Sequence, residues 1–101
     1  MNVWITHYID RFPLKTAVKF LEPDNTFKKI FKGNINSSQP QKYLPKIKET
    51  VDLMEKEDFL LIAGSSVLSL MWCSIFYKRF GHLNLLIWDA VEQKYVKRSV
   101  S

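Results

Sequence analysis

The sequence has little cysteine, glycine or proline. Its 101 residues include one cysteine, three glycines and four prolines. A lone cysteine excludes an internal disulfide and any metal site built on paired cysteines, and so little glycine and proline excludes a collagen-like or linker-rich chain. The chain also opens without a charged-then-apolar leader. We therefore expect a reducing, intracellular setting, the cytoplasm.

The sequence has the composition and length of one globular domain. Hydrophobic residues make up 47% and charged residues 25%. A chain of this length buries roughly two-thirds of its unfolded surface and is too short for two cores, so we expect a single domain over 1–101. The formal net charge is +5. This excess of basic residues favours anionic partners without identifying one.

The first 40 residues predict a β-rich segment. Residues 2–9 are rich in β-branched and aromatic side chains and predict a first strand, and 16–21 predict a weaker second strand. Residues 26–32 fit either a short strand or one helical turn, and both alternatives stay open at this point. The polar, breaker-rich stretch 33–40 predicts a loop.

The remaining residues predict an alternation of helices and strands. The periodicity indicates an amphipathic helix over 43–54, whose regular part begins near Pro45 or whose first turn is kinked there. It also indicates a second, largely buried helix over 65–80 that ends at Gly81. Between and after the helices, the pattern predicts a buried strand at 59–63, another interior strand at 83–88, a turn at 89–93 and an edge strand at 94–98.

These elements predict an α/β fold. Strand 59–63, helix 65–80 and strand 83–88 form a βαβ unit in the C-terminal half, in which the two strands pair in parallel through a right-handed crossover. The β-rich N-terminal segment extends or flanks that sheet. We therefore expect a small two-layer or three-layer sandwich.

A membrane-spanning helix is the main structural alternative. Residues 59–77 form a run of 19 residues with no formal charge, with acidic residues before it and Lys78 and Arg79 after it. Gly64, Ser65 and Ser66 divide the run into a strand-length and a helix-length piece. Since the following apolar strand also supplies a sheet partner, we favour strand plus helix over a single membrane pass.

The corner at Gly64, Ser65 and Ser66 is the strongest candidate for a ligand site. Glycine permits close approach of a ligand to the backbone, and the start of a helix presents free N–H groups and a favourable dipole to an anion. The structural alternative is that a serine caps the helix and Gly64 permits the turn. The triplet matches neither the dinucleotide fingerprint nor the Walker A motif, so neither NAD nor ATP is implied and no cofactor is expected.

The other residues that could carry chemistry have structural explanations as well. Asp89 ends a predicted interior strand, where open α/β sheets bind ligands, and aspartate is also a common turn starter. His82 suits a helix C-terminus, and His7 forms a site only if folding brings it a partner. Cys73 is predicted to be a small residue of the core. No spacing indicates a metal site, and no catalytic set emerges.

Basic residues interleaved with aromatic ones could bind phosphates and stack bases. The alternative is that they are the solvated faces of amphipathic elements. The candidate nucleic-acid-binding residues are Lys28, Lys29, Lys32, Lys78, Arg79, Lys97 and Arg98.

Two stretches carry a resemblance to known families: 58–68, with its buried strand and Gly-Ser-Ser corner, and 80–89, which reads Phe-Gly-His-Leu-Asn-Leu-Leu-Ile-Trp-Asp. Their order resembles a group of small tailed-bacteriophage proteins of no assigned activity, which implies a host-cytoplasm setting. The same 45 or so C-terminal residues are similar to the Rossmann-like half of CARF-type sensor domains and CRISPR-associated ring nucleases. That second resemblance implies that Gly64, Ser65 and Ser66 line a phosphate and that Asp89 stands near it. Since no histidine or basic residue lies at the helix start, nuclease activity is not implied.

The resulting interpretation is a phage-type accessory protein that binds a phosphate-bearing ligand, either a nucleotide or a nucleic acid, through its basic surface and the strand-to-helix corner. A binding protein is favoured over an enzyme. The alternatives are a host-takeover or virion protein that acts by protein–protein contact, an enzyme that degrades cyclic nucleotides, and a single-pass membrane protein. Assembly with further copies of the chain stays open.

Overall fold

The computed structural model describes residues 2–7, 17, 27–31, 35, 38–63 and 65–101. The strands are β1 (Val3–Ile5), β2 (Lys28–Lys29), β3 (Phe59–Leu61), β4 (Leu83–Asp89) and β5 (Lys94–Val100). The helices are α1 (Leu44–Leu53), which follows a 3-10 turn at Pro40–Tyr43, and α2 (Ser66–Phe80). This is the predicted α/β fold.

The five strands form one mixed sheet in the order β2-β1-β3-β4-β5. The first four strands are parallel, with Val3 opposite Phe59 and Leu60 opposite Leu85. The last strand, β5, returns antiparallel to β4 through a tight turn. The predicted βαβ unit is confirmed, because β3 and β4 pair in parallel and α2 connects them. The N-terminal strand extends the sheet rather than flanking it.

The N-terminal predictions have different outcomes. The first strand is present but shorter than predicted, and the open question over 26–32 is resolved in favour of a strand, β2. Of the second predicted strand at 16–21, only Ala17 lies among the described residues. Its side chain is fully buried.

Local sequence signals determine where both helices begin and end. Pro45 lies in the first turn of α1, where its missing N–H costs no hydrogen bond. Ser65 caps α2, and its Oγ accepts a hydrogen bond from the Leu68 N–H at 3.3 Å. Gly81 ends α2 with φ of 78°, the left-handed conformation that a residue without Cβ adopts most cheaply. Both ends of α2 agree with the prediction.

The sheet separates two hydrophobic cores, because alternate residues of a strand point to opposite faces. Both helices cover one face, where Trp4 and Leu60 of the sheet contact Ile47 of α1 and Trp72 of α2. The opposite face carries a second core. Its buried residues are Val3, Ile5, Ala17, Phe59, Leu61, Leu86 and Tyr95.

The uncharged run at 59–77 is divided between strand β3 and helix α2, which confirms the prediction of a strand plus a helix. Within the part of the chain that the structure describes, no helix is long and apolar enough to cross a membrane.

One prediction about α2 is wrong in part. The helix was expected to be largely buried, yet Leu70 is 72% exposed, Val67 is 42% exposed and Tyr77 is 41% exposed. Its inner side does lie in the core, where Leu68, Trp72 and Phe76 are fully buried. The difference arises because β4 turns straight back into β5, so none of the described helices packs against the outer flank of α2.

Candidate functional site

The strand order creates a switch point between β1 and β3. The chain leaves β1 toward β2 on one side, and it leaves β3 through α2 toward β4 on the other side. The order 2-1-3-4-5 is one of the common doubly wound orders, in which ligands bind at the carboxyl ends of the strands beside the switch point. Ala17, from the β1–β2 connection, packs in the core opposite the helices. This is the face expected for a right-handed crossover in that direction.

Thr6 and His7 lie at this point, immediately after β1. The Thr6 hydroxyl lies 3.4 Å from the carbonyl oxygen of Ala63, which follows β3, and 3.0 Å from Nδ1 of His7. If Thr6 donates its single proton to the carbonyl, the Nδ1–H of His7 donates to Thr6 Oγ1 and Nε2 is the acceptor nitrogen. We call Thr6, His7, Ala63, Ser65 and Ser66 the switch-point crevice.

His7 is a largely buried histidine, with 8% of its surface exposed. This burial lowers the pKa of the imidazole, because desolvation disfavours the charged form. The ring in the crevice is therefore held toward its neutral form, which can both donate and accept a hydrogen bond.

The predicted strand-to-helix corner follows β3 at the same end of the sheet, next along the chain from Ala63. Gly64 lies outside the described residues. Ser65 acts as the cap, as the structural alternative proposed, and its carbonyl also accepts from Ser69 N at 3.0 Å. Ser66 is exposed at the first position of α2. The N–H groups of the first turn of a helix have no intrahelical acceptor; in α2 the Leu68 N–H donates to Ser65 Oγ, and those of Ser66 and Val67 belong to the same turn.

Asp89 has a structural role at the hairpin. Its Oδ1 accepts hydrogen bonds from Val91 N at 2.9 Å and Glu92 N at 3.1 Å. This is the geometry of aspartate as a turn starter, the structural alternative to a ligand site. The carboxyl ends of β3 and β4 lie at the same edge of the sheet, so Asp89 does lie at the edge where a ligand was expected. Its carboxylate, however, is bonded to the backbone of the turn.

The candidate basic residues lie at three separate places in the sheet and helices. Lys28 and Lys29 lie on the edge strand β2, whereas Lys97 and Arg98 lie on the opposite edge strand β5, roughly 19 Å away by the usual strand spacing. Lys32 lies outside the described residues. The structure does not gather these groups onto one face.

The third basic pair, Lys78 and Arg79, ends α2 near the amino ends of the strands. Arg79 Nη1 lies 3.0 Å from Asp52 Oδ1 of α1, and its guanidinium lies 5.4 Å from the Phe80 ring centroid. Lys28 Nζ similarly lies 5.6 Å from the Trp4 ring, and Lys97 Nζ lies 5.4 Å from the Phe59 ring. Several of these cations therefore also cover aromatic side chains.

His82 and Cys73 do not contribute to the crevice. His82 lies at the amino end of the sheet, where Nδ1 contacts the Phe80 carbonyl oxygen at 3.2 Å and Nε2 contacts that of Lys56 at 2.6 Å. Cys73 is half-buried in α2, and burial raises the pKa of its thiol. Within the described ranges, no group of three or more His, Cys, Asp or Glu residues is placed to hold a metal ion.

Sequence reasoning missed two polar residues that the structure places at strand ends. Thr6 follows Val3, Trp4 and Ile5, so the change from apolar to polar residues after β1 was the signal that could have found it. Asp58 precedes β3 and is almost fully buried. Its carboxylate accepts three hydrogen bonds, two of them from the N-terminal strand region, which no local pattern reveals.

The structure defines an α/β protein with βαβ units, whose fourth parallel strand leads into an antiparallel edge hairpin. Residues 15–101 match the family described as phage Pam3 gp32-like protein, and the chain belongs to that family. This match confirms the resemblance to phage proteins. No curated protein and no solved structure matched the chain. The likeness to CARF-type sensor domains stays a prediction.

Proposed function

We propose that this phage-family protein binds a phosphate-bearing ligand, a nucleotide or a nucleic acid end, in the switch-point crevice. The observation that carries the proposal is the strand order, which brings the carboxyl ends of β1 and β3 side by side while their connections diverge. Diverging connections leave a gap above the sheet at this point, and doubly wound proteins bind their ligands in that gap.

The start of α2 supplies the phosphate-binding part of the crevice. The first turn of this 15-residue helix contains no acidic residue, so its positive end is not neutralised from within. The N–H groups of Ser66 and Val67 and the hydroxyl of exposed Ser66 can donate to phosphate oxygens. The net charge of +5 favours the approach of an anion.

Thr6 and His7 supply the polar groups for the rest of the ligand. A neutral His7 whose Nδ1–H donates to Thr6 has Nε2 as an acceptor, which suits a hydroxyl or amino donor. A nucleotide combines such donors with a phosphate. A free phosphate ion carries no sugar hydroxyl or base amino group that could reach His7 while its oxygens lie at the helix start, so the crevice fits a nucleotide better than it fits the ion.

The basic residues of β2 lie one strand away from the crevice. A nucleic acid strand that left the crevice over β2 would meet Lys28 and Lys29, both exposed. Lys97 and Arg98 on the far edge, and Lys78 and Arg79 at the other end of α2, would serve only a longer ligand that wraps around the molecule.

The test is the affinity for fluorescein-labelled single-stranded DNA, RNA and a cyclic dinucleotide, measured by fluorescence anisotropy across a salt series. We expect affinity to fall steeply with salt, because phosphate contacts release counterions. Ser66→Asp places a negative charge beside the proposed phosphate while favouring the helix dipole. It should therefore weaken binding about tenfold or more without lowering the melting temperature.

Ser74→Asp is the matched control, since it adds the same charge to an exposed serine two turns further along α2. It should leave the affinity close to that of the unmodified protein. Equal binding by the unmodified protein and Ser66→Asp, or an affinity that does not change with salt, would contradict the proposal.

A further inference from the structure

The outer flank of α2 carries an apolar stripe in addition to its buried side. Ser66, Leu70, Cys73 and Tyr77 recur at intervals of four, three and four residues, so they lie on one side of the helix. Leu70 is 72% exposed and Tyr77 is 41% exposed. A helix that is apolar on both sides is normally covered on both sides.

This stripe borders a groove against the sheet. The groove has a volume of about 320 Å³ and is lined by Ile62, Ser66, Ser69, Leu70, Cys73, Leu85 and Ile87. We call it the α2–β4 groove. Leu85 and Ile87 form its floor, and their antiparallel partners Arg98 and Val96 continue the same face onto β5.

The chain connectivity explains why this groove is open. In a doubly wound sheet, a helix after β4 would pack beside α2 on this face. Here β4 is followed directly by the turn that begins at Asp89 and by β5, so this connection supplies no such helix. Leu70, Ile87 and Val96 therefore lie where the sheet would otherwise carry a third helix.

The charges around the groove indicate the chemistry of its occupant. On the groove face of the sheet, β5 carries two basic residues, Lys94 and Arg98, because these alternate with residues that point to the other face. Lys97 points to that other face, where its Nζ lies 5.4 Å from the Phe59 ring. The acidic residue opposite Lys94, Asp89, has its carboxylate bonded into the hairpin turn. Arg98 projects from the same face as the groove floor, beside Leu85.

From this groove we infer that the protein docks an acidic amphipathic helix of another protein, whose apolar side fills the α2–β4 groove and whose acidic side meets Arg98. The stripe from Ser66 to Tyr77 spans about 16 Å, which corresponds to about three turns of a partner helix. A second copy of the chain fits poorly. A symmetric contact would place the basic residues of two copies against each other.

The probe is a fluorescein-labelled synthetic helix of about four turns with leucine at i, i+3 and i+7 and glutamate on both flanks. A second peptide keeps the leucines and carries lysine in place of glutamate. We expect anisotropy to detect binding of the glutamate peptide at least about tenfold tighter than that of the lysine peptide. Equal affinity for the two peptides would overturn the charge argument.

Leu70→Ser should weaken binding of the glutamate peptide about tenfold, because it removes an apolar contact from the groove. Leu53→Ser is the matched control: Leu53 is also 72% exposed but lies at the end of α1, away from the groove. Thermal melting checks that both variants fold. If both leucine variants bind like the unmodified protein, the groove is not the docking site.

Arg98→Glu provides a second variant that does not depend on the apolar contact. It should weaken the glutamate peptide and strengthen the lysine peptide, whereas Lys29→Glu, the same charge change on β2, should change neither. If Arg98→Glu leaves the preference between the two peptides unchanged, Arg98 does not set the partner's charge and the proposal fails.

Cys73, the chain's one cysteine, provides a positional readout because it lines the groove. Saturating glutamate peptide should slow alkylation of its thiol by iodoacetamide. An unchanged rate would place the peptide elsewhere and overturn the proposal. Two other results would also overturn the proposal. One is a dimer, detected by sedimentation, that Leu70→Ser dissociates. The other is binding to anionic phosphatidylserine vesicles that Leu70→Ser abolishes, without any binding of the peptide.

Discussion

The two ends of the sheet differ in how their polar groups are bonded. At the amino end, the buried carboxylate of Asp58 accepts hydrogen bonds from Asn2 N at 2.8 Å, Trp4 Nε1 at 3.0 Å and Glu55 N at 3.0 Å. Nearby, the Lys56 carbonyl oxygen is contacted by both His82 and Asn84. These bonds tie three separate parts of the chain together.

At the carboxyl end, the described side chains of the switch-point crevice that form hydrogen bonds lie in the segments just after the strands. Thr6 contacts Ala63 at 3.4 Å and His7 at 3.0 Å, and Ser65 caps α2 at 3.3 Å. The buried Asp58 network and the proposed binding crevice therefore lie at opposite ends of the sheet. Substitutions at the amino end should therefore affect stability first, and those at the crevice should affect binding first.

The largest effect is expected at Asp58. Asp58→Ala leaves two backbone N–H groups and the Trp4 indole N–H without their acceptor, which should cost about 3 kcal/mol or more of the free energy of unfolding. Urea denaturation followed by circular dichroism measures the change. Asp52→Ala is the control, because Asp52 is an exposed acid in a surface ion pair with Arg79 and should cost less than about 1 kcal/mol. Equal losses for the two variants would remove the special role of the amino end.

A smaller effect is expected at the helix cap on the carboxyl end. Ser65→Ala removes the oxygen that accepts from Leu68 N and should cost about 1 kcal/mol, whereas Ser65→Asp should keep the cap and the stability. The same denaturation experiment measures both variants. If Ser65→Asp is as unstable as Ser65→Ala, then the cap hydrogen bond is not what stabilises this corner.

The smallest effect is expected at His7 and depends on pH. Burial lowers the pKa of His7 in the folded state, so the unfolded chain binds the proton more readily. The contribution is fully present above the unfolded pKa of about 6.5 and is lost as the pH falls toward the folded-state pKa. The free energy of unfolding should therefore decrease on acidification below that value.

His7→Gln is the matched variant for this pH dependence, since it keeps a polar side chain that does not titrate. It should reduce the slope of stability against pH in the window just below about pH 6.5, before the carboxylates begin to protonate. Identical slopes for the two proteins would show that His7 is not perturbed by burial. Such a result would mean that no buried histidine with a lowered pKa distinguishes the carboxyl end of the sheet from the amino end.

Much of the C-terminal half could be predicted because its signals are local. Pro45 marked the start of α1, Ser65 and Gly81 marked the two ends of α2, and the apolar runs on either side of α2 predicted β3 and β4. Capping, turns and periodicity act between residues a few positions apart, and the right-handed crossover rule then supplied their parallel pairing.

The candidate site could be predicted only in part. The corner at Ser65 and Ser66 was identified from the strand-to-helix transition, but Thr6 and His7 follow a strand almost 60 residues earlier. Their proximity depends on β1 inserting between β2 and β3, and strand order is determined by long-range pairing rather than by local sequence. The basic residues likewise formed clusters in the sequence that the fold separates onto opposite edges.

The amino-acid sequence was sufficient for the elements of the C-terminal half, their order and their caps, because these depend on interactions within one or two turns of the chain. Tertiary structure alone decided the neighbours of β1, the burial of Asp58 against Trp4, 54 positions away, and the open flank of α2. Those features depend on contacts between distant segments, and the energy of such contacts is realised only when the whole sheet assembles.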